Sequence, residues 1–222
     1  MHSASPASQS AASSGRESLV ARARRLEYLT IAWNGFEAAV ALVSGFLAGS
    51  VALTGFGLDS LIETASAVVL LWRLKADQVA ERGEQVERAA HRMVGICFLA
   101  LAAYLAVESL RVLWTREHAA PSLPGTLIAL AAVIVMPLLG HAKRRVAAEL
   151  GSRALHSDSR QADFCTYLSA ILLAGLLLQR TLGWWWANPV AALVMVPIIA
   201  REGVQGLRGK GCDDCSPSAN QS

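Results

Sequence analysis

After a polar start rich in Ser and Ala, apolar positions run along this chain in long unbroken stretches, separated only by short charged clusters. Each stretch holds about 20 residues, the number an α-helix needs to cross a hydrocarbon core about 30 Å thick. They fall at Tyr28 to Ala48, Val51 to Leu74, Met93 to Trp114, Gly125 to His141, Ser159 to Gln179 and Trp185 to Val204. The pattern predicts an all-α integral membrane protein with six transmembrane helices. Gly49 and Ser50 leave so little chain between the first two spans that these must form an antiparallel hairpin, and Pro121 and Pro124 punctuate the third connection. Pro137 and Pro197 fall inside spans, where each removes a backbone hydrogen bond and bends its helix. An even number of crossings puts both termini on one side.

Composition agrees: 54% of the 222 residues are hydrophobic and 17% charged, too apolar for a soluble domain of this size. The expected division is a disordered cytoplasmic tail over residues 1–25, a six-helix transmembrane domain over 26–205, and a short cytoplasmic tail over 206–222. No isolated apolar h-region with a small-residue cleavage site precedes the first span, so no cleaved signal is expected. Charge sets the orientation. Arg16, Arg22, Arg24 and Arg25 precede the first span, Arg73, Lys75, Arg82, Arg88 and Arg92 follow the second, and Lys143, Arg144, Arg145 and Arg153 follow the fourth. With Arg201, Arg208 and Lys210 these lie on one face, whereas Arg116 and Arg180 lie on the other, so N- and C-termini are both expected to be cytoplasmic. The expected location is the plasma (inner) membrane. A net charge of only +3, with no basic stripe on any helix, argues against a nucleic-acid partner. Trp184, Trp185 and Trp186 read as an anchor in the outer headgroup zone.

Polar residues inside the spans carry the chemistry, because a carboxylate at membrane depth costs several kcal/mol unless it meets protein, water, a proton or an ion. Asp59 and Glu63 stand four residues apart, on one helix face and about 6 Å apart along the axis. That spacing suits a shared divalent cation, with proton exchange following because the same oxygens lose protons to bind metal. The alternative is a pair of protonated acids hydrogen-bonded to neighbouring helices. Asn34 and Glu37 lie a turn apart in the first span, where Glu37 either lines an access path or makes a structural hydrogen bond. Glu108 and Arg111 read as a local ion pair. The four cysteines form no disulfide framework: Cys97 and Cys165 lie in apolar stretches, and Cys212 and Cys215 in the tail, where they either capture a soft metal or do nothing. No constellation of nucleophile and base and no phosphate loop suggests an enzyme, and no cofactor is expected.

The run Gly49-Ser50-Val51-Ala52-Leu53, followed by Asp59-Ser60-Leu61-Ile62-Glu63, resembles the second span of the cation diffusion facilitators, which export zinc and related divalent metals. The six-span order, cytoplasmic termini and tight first hairpin agree with that family over roughly residues 26 to 209. Glu63 departs from its pattern, being one methylene longer than the usual aspartate. The resemblance implies a second half-site in the fifth span. Aligning Asp158 with its first position puts Gln161 and Cys165 at the two expected ligand positions, where the usual residues are His and Asp. Gln161 and Cys165 share a helix face and serve either as ligands, the thiolate favouring soft metals, or in packing. A second register would use Asp163 with Ser159, and His156 and Asp158 either hand metal inward from the cytoplasmic mouth or simply begin a solvated helix.

The metal-site residues so implied are Asp59, Glu63, Gln161 and Cys165, and the implied partners are divalent metal ion, protons and the bilayer. The chain stops about 18 residues after the sixth span, so the cytoplasmic domain common in the family is expected to be missing. A homodimer would then rest on membrane helices, with Gly35, Ala38, Ala39 and Gly45 available for close packing. The implied function is proton-coupled efflux of zinc, cadmium, cobalt, iron or manganese by alternating access. The competing reading is a metal-sensing or partner-modulating subunit that does not transport, suggested by the altered fifth span.

Overall fold

The computed structural model describes residues 6–75 and 80–208. Among these the chain forms six helices and no strand: α1 (Pro6–Ala48), α2 (Val51–Lys75), α3 (Ala80–Thr115), α4 (Leu123–Leu150), α5 (Arg153–Leu182) and α6 (Ala187–Leu207). Each contains a segment long and apolar enough to cross a membrane, as the hydropathy pattern predicts. Cys212 and Cys215 lie outside the described residues.

Three helices run well past their expected ends, among them α3, which begins at Ala80 rather than Met93. From Pro6 onward the segment expected as a disordered tail is the first part of α1, and α4 continues past His141 to Leu150. Hydropathy marks where the bilayer is, not where a helix stops. A buried stripe of helical period accompanies the extension of α4, and that of α1 from Ala23 onward. On α1 it runs through Ala23, Glu27, Thr30, Asn34, Glu37, Ala41, Ser44 and Ala48, alternating steps of four and three. On α4 it runs through Ala129, Ala132, Met136, Gly140, Lys143 and Ala147. The two stripes meet beyond the apolar spans, where Ala23 packs with Val146, Ala147 and Leu155.

The hairpin between α1 and α2 turns on Gly49, whose φ of 62° suits the left-handed region that glycine enters without steric cost. Ser50 then caps α2, its hydroxyl accepting from the Leu53 amide at 3.2 Å. Asn188 at the start of α6 holds this cap from the side. It donates to Ser50 Oγ at 2.6 Å and accepts from the Ala52 amide at 3.4 Å. At the end of α3, Arg111 pairs with Glu108 at 2.6 Å, as the spacing predicts, and also with Glu117 at 2.7 Å. The hydrogen bond from Arg111 holds the exposed Glu117 carboxyl below the usual carboxylate range.

Packing divides the bundle into a ring of α1, α2, α4 and α5 and a pair, α3 with α6, laid against α2 and α5. Glycines set the pair's close approach: a Cβ on Gly95 would stand 2.7 Å from the Gly203 carbonyl oxygen. Between pair and ring lies an apolar core including Phe56, Phe98, Leu105, Leu168 and Met195. Of the small residues expected to be free for helix contacts, Ala38 is buried and Gly45 packs against Thr54 of α2, whereas Gly35 faces open space and Ala39 is exposed. Trp184 stacks on Trp186 at 4.9 Å and Trp185 lies against His118 at 5.2 Å, all at the end opposite the termini.

Candidate metal centre

Where α2 crosses α5, the carboxylates of Asp59 and Glu63 and the thiol of Cys165 converge, fully buried, with ligand-capable atoms all within 4.8 Å of one another. The helical repeat explains the placement: Asp59 and Glu63 are successive turns of the α2 face turned inward, and Cys165 lies on the buried α5 stripe with Leu168 and Leu172. The structure therefore brings together three of the four residues singled out in the sequence. Gln161 stands one turn from Cys165, but its Oε1 accepts from the Ser66 hydroxyl at 3.4 Å.

The convergence has a surplus of acceptors. Among the described residues, both oxygens of Asp59, Oε1 of Glu63 and Oδ1 of Asn34 are buried without a hydrogen-bond partner. Burying such oxygens without donors costs several kcal/mol, and two carboxylates at this separation repel unless a cation or protons intervene. A cation supplies what the protein withholds.

Helix α1 forms the wall of the site. Asn34 donates its Nδ2 to Glu63 Oε2 at 2.9 Å. Glu37 is tied by three donors on three helices: Trp33 Nε1 at 2.8 Å, Ser60 Oγ at 2.6 Å and the Cys165 thiol at 3.9 Å. Of its two sequence readings, Glu37 therefore fits the hydrogen-bonded one, linking α1 to both ligand-bearing helices.

A second polar layer lies seven residues, about 10 Å, toward the termini on both α1 and α5. There Lys143 of α4, only 1% exposed, pairs with Glu27 of α1 at 3.2 Å and with Asp158 of α5. This corrects the assignment of Lys143 to a basic cluster following the fourth span, because α4 continues and carries the side chain into the ring. The signal was present in the sequence: Lys143 follows Met136 and Gly140 by seven and three residues, in step with the buried stripe. Glu27 was missed for the same reason, one residue outside the apolar stretch but on the α1 stripe. Asp158 is thus the partner of a buried ammonium. Asp163 pairs with Arg144, and the Ser159 hydroxyl donates to the His156 carbonyl at 2.6 Å, so the alternative register of Ser159 with Asp163 does not assemble. His156 is exposed at the first turns of α5.

The chain matches the family model described as the cation efflux transmembrane domain over residues 28–209. No curated protein matches it.

Proposed function

Because the chain belongs to the cation efflux family, we propose that it exports a divalent metal ion from the cytoplasm in exchange for protons, by alternating access. Family membership makes it a multi-pass membrane protein that transports metal cations. The finer reading is supported above all by one observation, the buried convergence of Asp59, Glu63 and Cys165 with their unpaired oxygens at the crossing of α2 and α5. These three side chains hold the ion. Gln161, one turn away on α5, offers a further oxygen when it releases Ser66.

Proton coupling follows from ligand chemistry. Carboxylates and a thiol bind metal only after losing protons, so loading the ion releases protons and unloading it takes them up. Alternating access is motion of the α3 and α6 pair against the four-helix ring, since the ligands belong to the ring and the pair covers it. The basic clusters support termini in the cytoplasm, and on that orientation the second polar layer lies between cytoplasm and site. A dimer forms through the outward face of α1, where Gly35 and Ala39 permit close helix approach. The membrane is the plasma membrane.

Purified protein reconstituted in vesicles with an imposed proton gradient tests this directly. Zinc, cadmium, cobalt, iron and manganese are offered in turn, with metal and proton fluxes recorded together. Coupled opposite fluxes for at least one metal are expected. Binding without flux for every metal would instead establish the metal-sensing or modulating subunit.

A further inference from the structure

Asp59, Glu63 and Cys165 provide three ligand residues, one fewer than the four that a divalent zinc-like ion takes in a closed tetrahedral site. We infer that Asn34 of α1 supplies the fourth ligand through its amide oxygen, so that the site is shared by α1, α2 and α5. This rests on the reading of that site as the seat of the transported ion.

Polarity decides between the two amides nearby. Gln161 has its oxygen engaged by Ser66 at 3.4 Å and its nitrogen unpaired, so it presents no free oxygen until it releases Ser66. Asn34 is the reverse. Its nitrogen donates to Glu63 Oε2 at 2.9 Å and its buried oxygen has no partner. Standard amide dimensions put that oxygen about 2.3 Å from the nitrogen, so it lies within a single side chain's breadth of the Glu63 carboxylate. Asn34 is 0% exposed, so water does not answer the oxygen from outside. This unpaired buried amide oxygen, together with the unpaired oxygens of Asp59 and Glu63, makes a set of acceptors that a cation satisfies at once.

Other candidates are committed elsewhere. Glu37 accepts from Trp33, Ser60 and Cys165, and the Ser60 hydroxyl shares its one hydrogen between Glu37 and the Phe56 carbonyl. Asn34 also does what a carboxylate in its place could not: while its oxygen faces the ion, its N–H group fixes the Glu63 carboxylate. Three oxygen ligands with one thiolate make a mixed set, suited to borderline ions rather than to the softest.

Cobalt(II) binding to the purified full-length chain tests the assignment, because its visible bands report the ligand set as well as the affinity. Asn34→Leu, with the same branched skeleton but without the oxygen, is expected to weaken Co²⁺ binding by at least roughly tenfold and to shift the d–d bands, since even partners outside the ligand shell carry 10–100-fold effects. The thiolate-to-cobalt band from Cys165 should persist. Asn34→Asp, which retains an oxygen but loses the N–H group, should weaken binding clearly less than Asn34→Leu. Wild-type affinity and unshifted bands in Asn34→Leu would overturn the assignment. So would equal weakening in Asn34→Asp and Asn34→Leu, which is what a purely positioning role for the N–H group predicts. Asp59→Ala separates the two levels of the claim: unchanged binding there overturns the site itself, whereas lost binding there with unchanged Asn34→Leu overturns only the fourth ligand.

Discussion

Replacing Lys143 with methionine removes a positive charge from a place water does not reach and leaves Glu27 and Asp158 facing each other across the gap. At 3.2 Å and an effective dielectric of roughly 20, the attraction between Lys143 and Glu27 alone amounts to about 5 kcal/mol. Part of this offsets the cost of taking the ions out of water, and breaking a buried pair by removing one partner typically costs about 3–5 kcal/mol. For a chain of this size that corresponds to a fall in melting temperature of roughly 6–20 °C. Thermal unfolding of Lys143→Met in detergent micelles, followed by tryptophan fluorescence, measures it. The triple variant Glu27→Gln, Lys143→Met, Asp158→Asn removes every charge in the layer and should recover to within about 2 kcal/mol of the original protein, because a neutral layer carries no uncompensated ion. Lys143→Met melting at the wild-type temperature would refute the reasoning, and so would a triple variant as unstable as the single one, since the loss would then lie in packing rather than charge.

Three further outcomes follow from named contacts. Gly203→Val should push α3 from α6, because a Cβ there stands 2.9 Å from the Gly95 carbonyl oxygen, and should lower stability by about 1–3 kcal/mol in the same unfolding assay. Asn188→Leu takes away the lateral support of the α2 cap and leaves the Ala52 amide unanswered; a loss of about 1–3 kcal/mol is expected, and unchanged stability would show that α2 caps itself. Cys165→Ser keeps an oxygen in the site but removes its soft ligand, so competition binding should move preference from cadmium and zinc toward manganese. An unaltered order of preference would place the thiol outside the ligand set.

Much of this was legible in the sequence because a bilayer imposes a length on every crossing. Six stretches of about 20 apolar residues specify six helices, and Gly49 with Ser50 specifies the first hairpin. Asp59 and Glu63 stood out for the same reason, as acids where hydrocarbon penalises them. Less legible was whatever lies at the margins of the apolar stretches. Lys143 read as part of a basic cluster and Glu27 was passed over because hydropathy windows average over all faces of a helix, while burial follows one face. Asn34 was visible at membrane depth, but only tertiary packing shows that its nitrogen is used and its oxygen free. Gln161 had the opposite fate: the spacing that put it one turn from Cys165 holds, but Ser66 of α2 takes up its oxygen. Hydrogen-bond polarity of an amide is set by neighbours far apart in the chain, which no local pattern encodes.

The central claim is that the acid pair on α2 holds the transported ion, and flux through Asp59→Ala tests it most directly. In proteoliposomes containing equal amounts of folded protein, checked by melting temperature, metal-dependent flux is predicted to disappear in Asp59→Ala while the wild type transports. Wild-type flux in that variant would contradict the account.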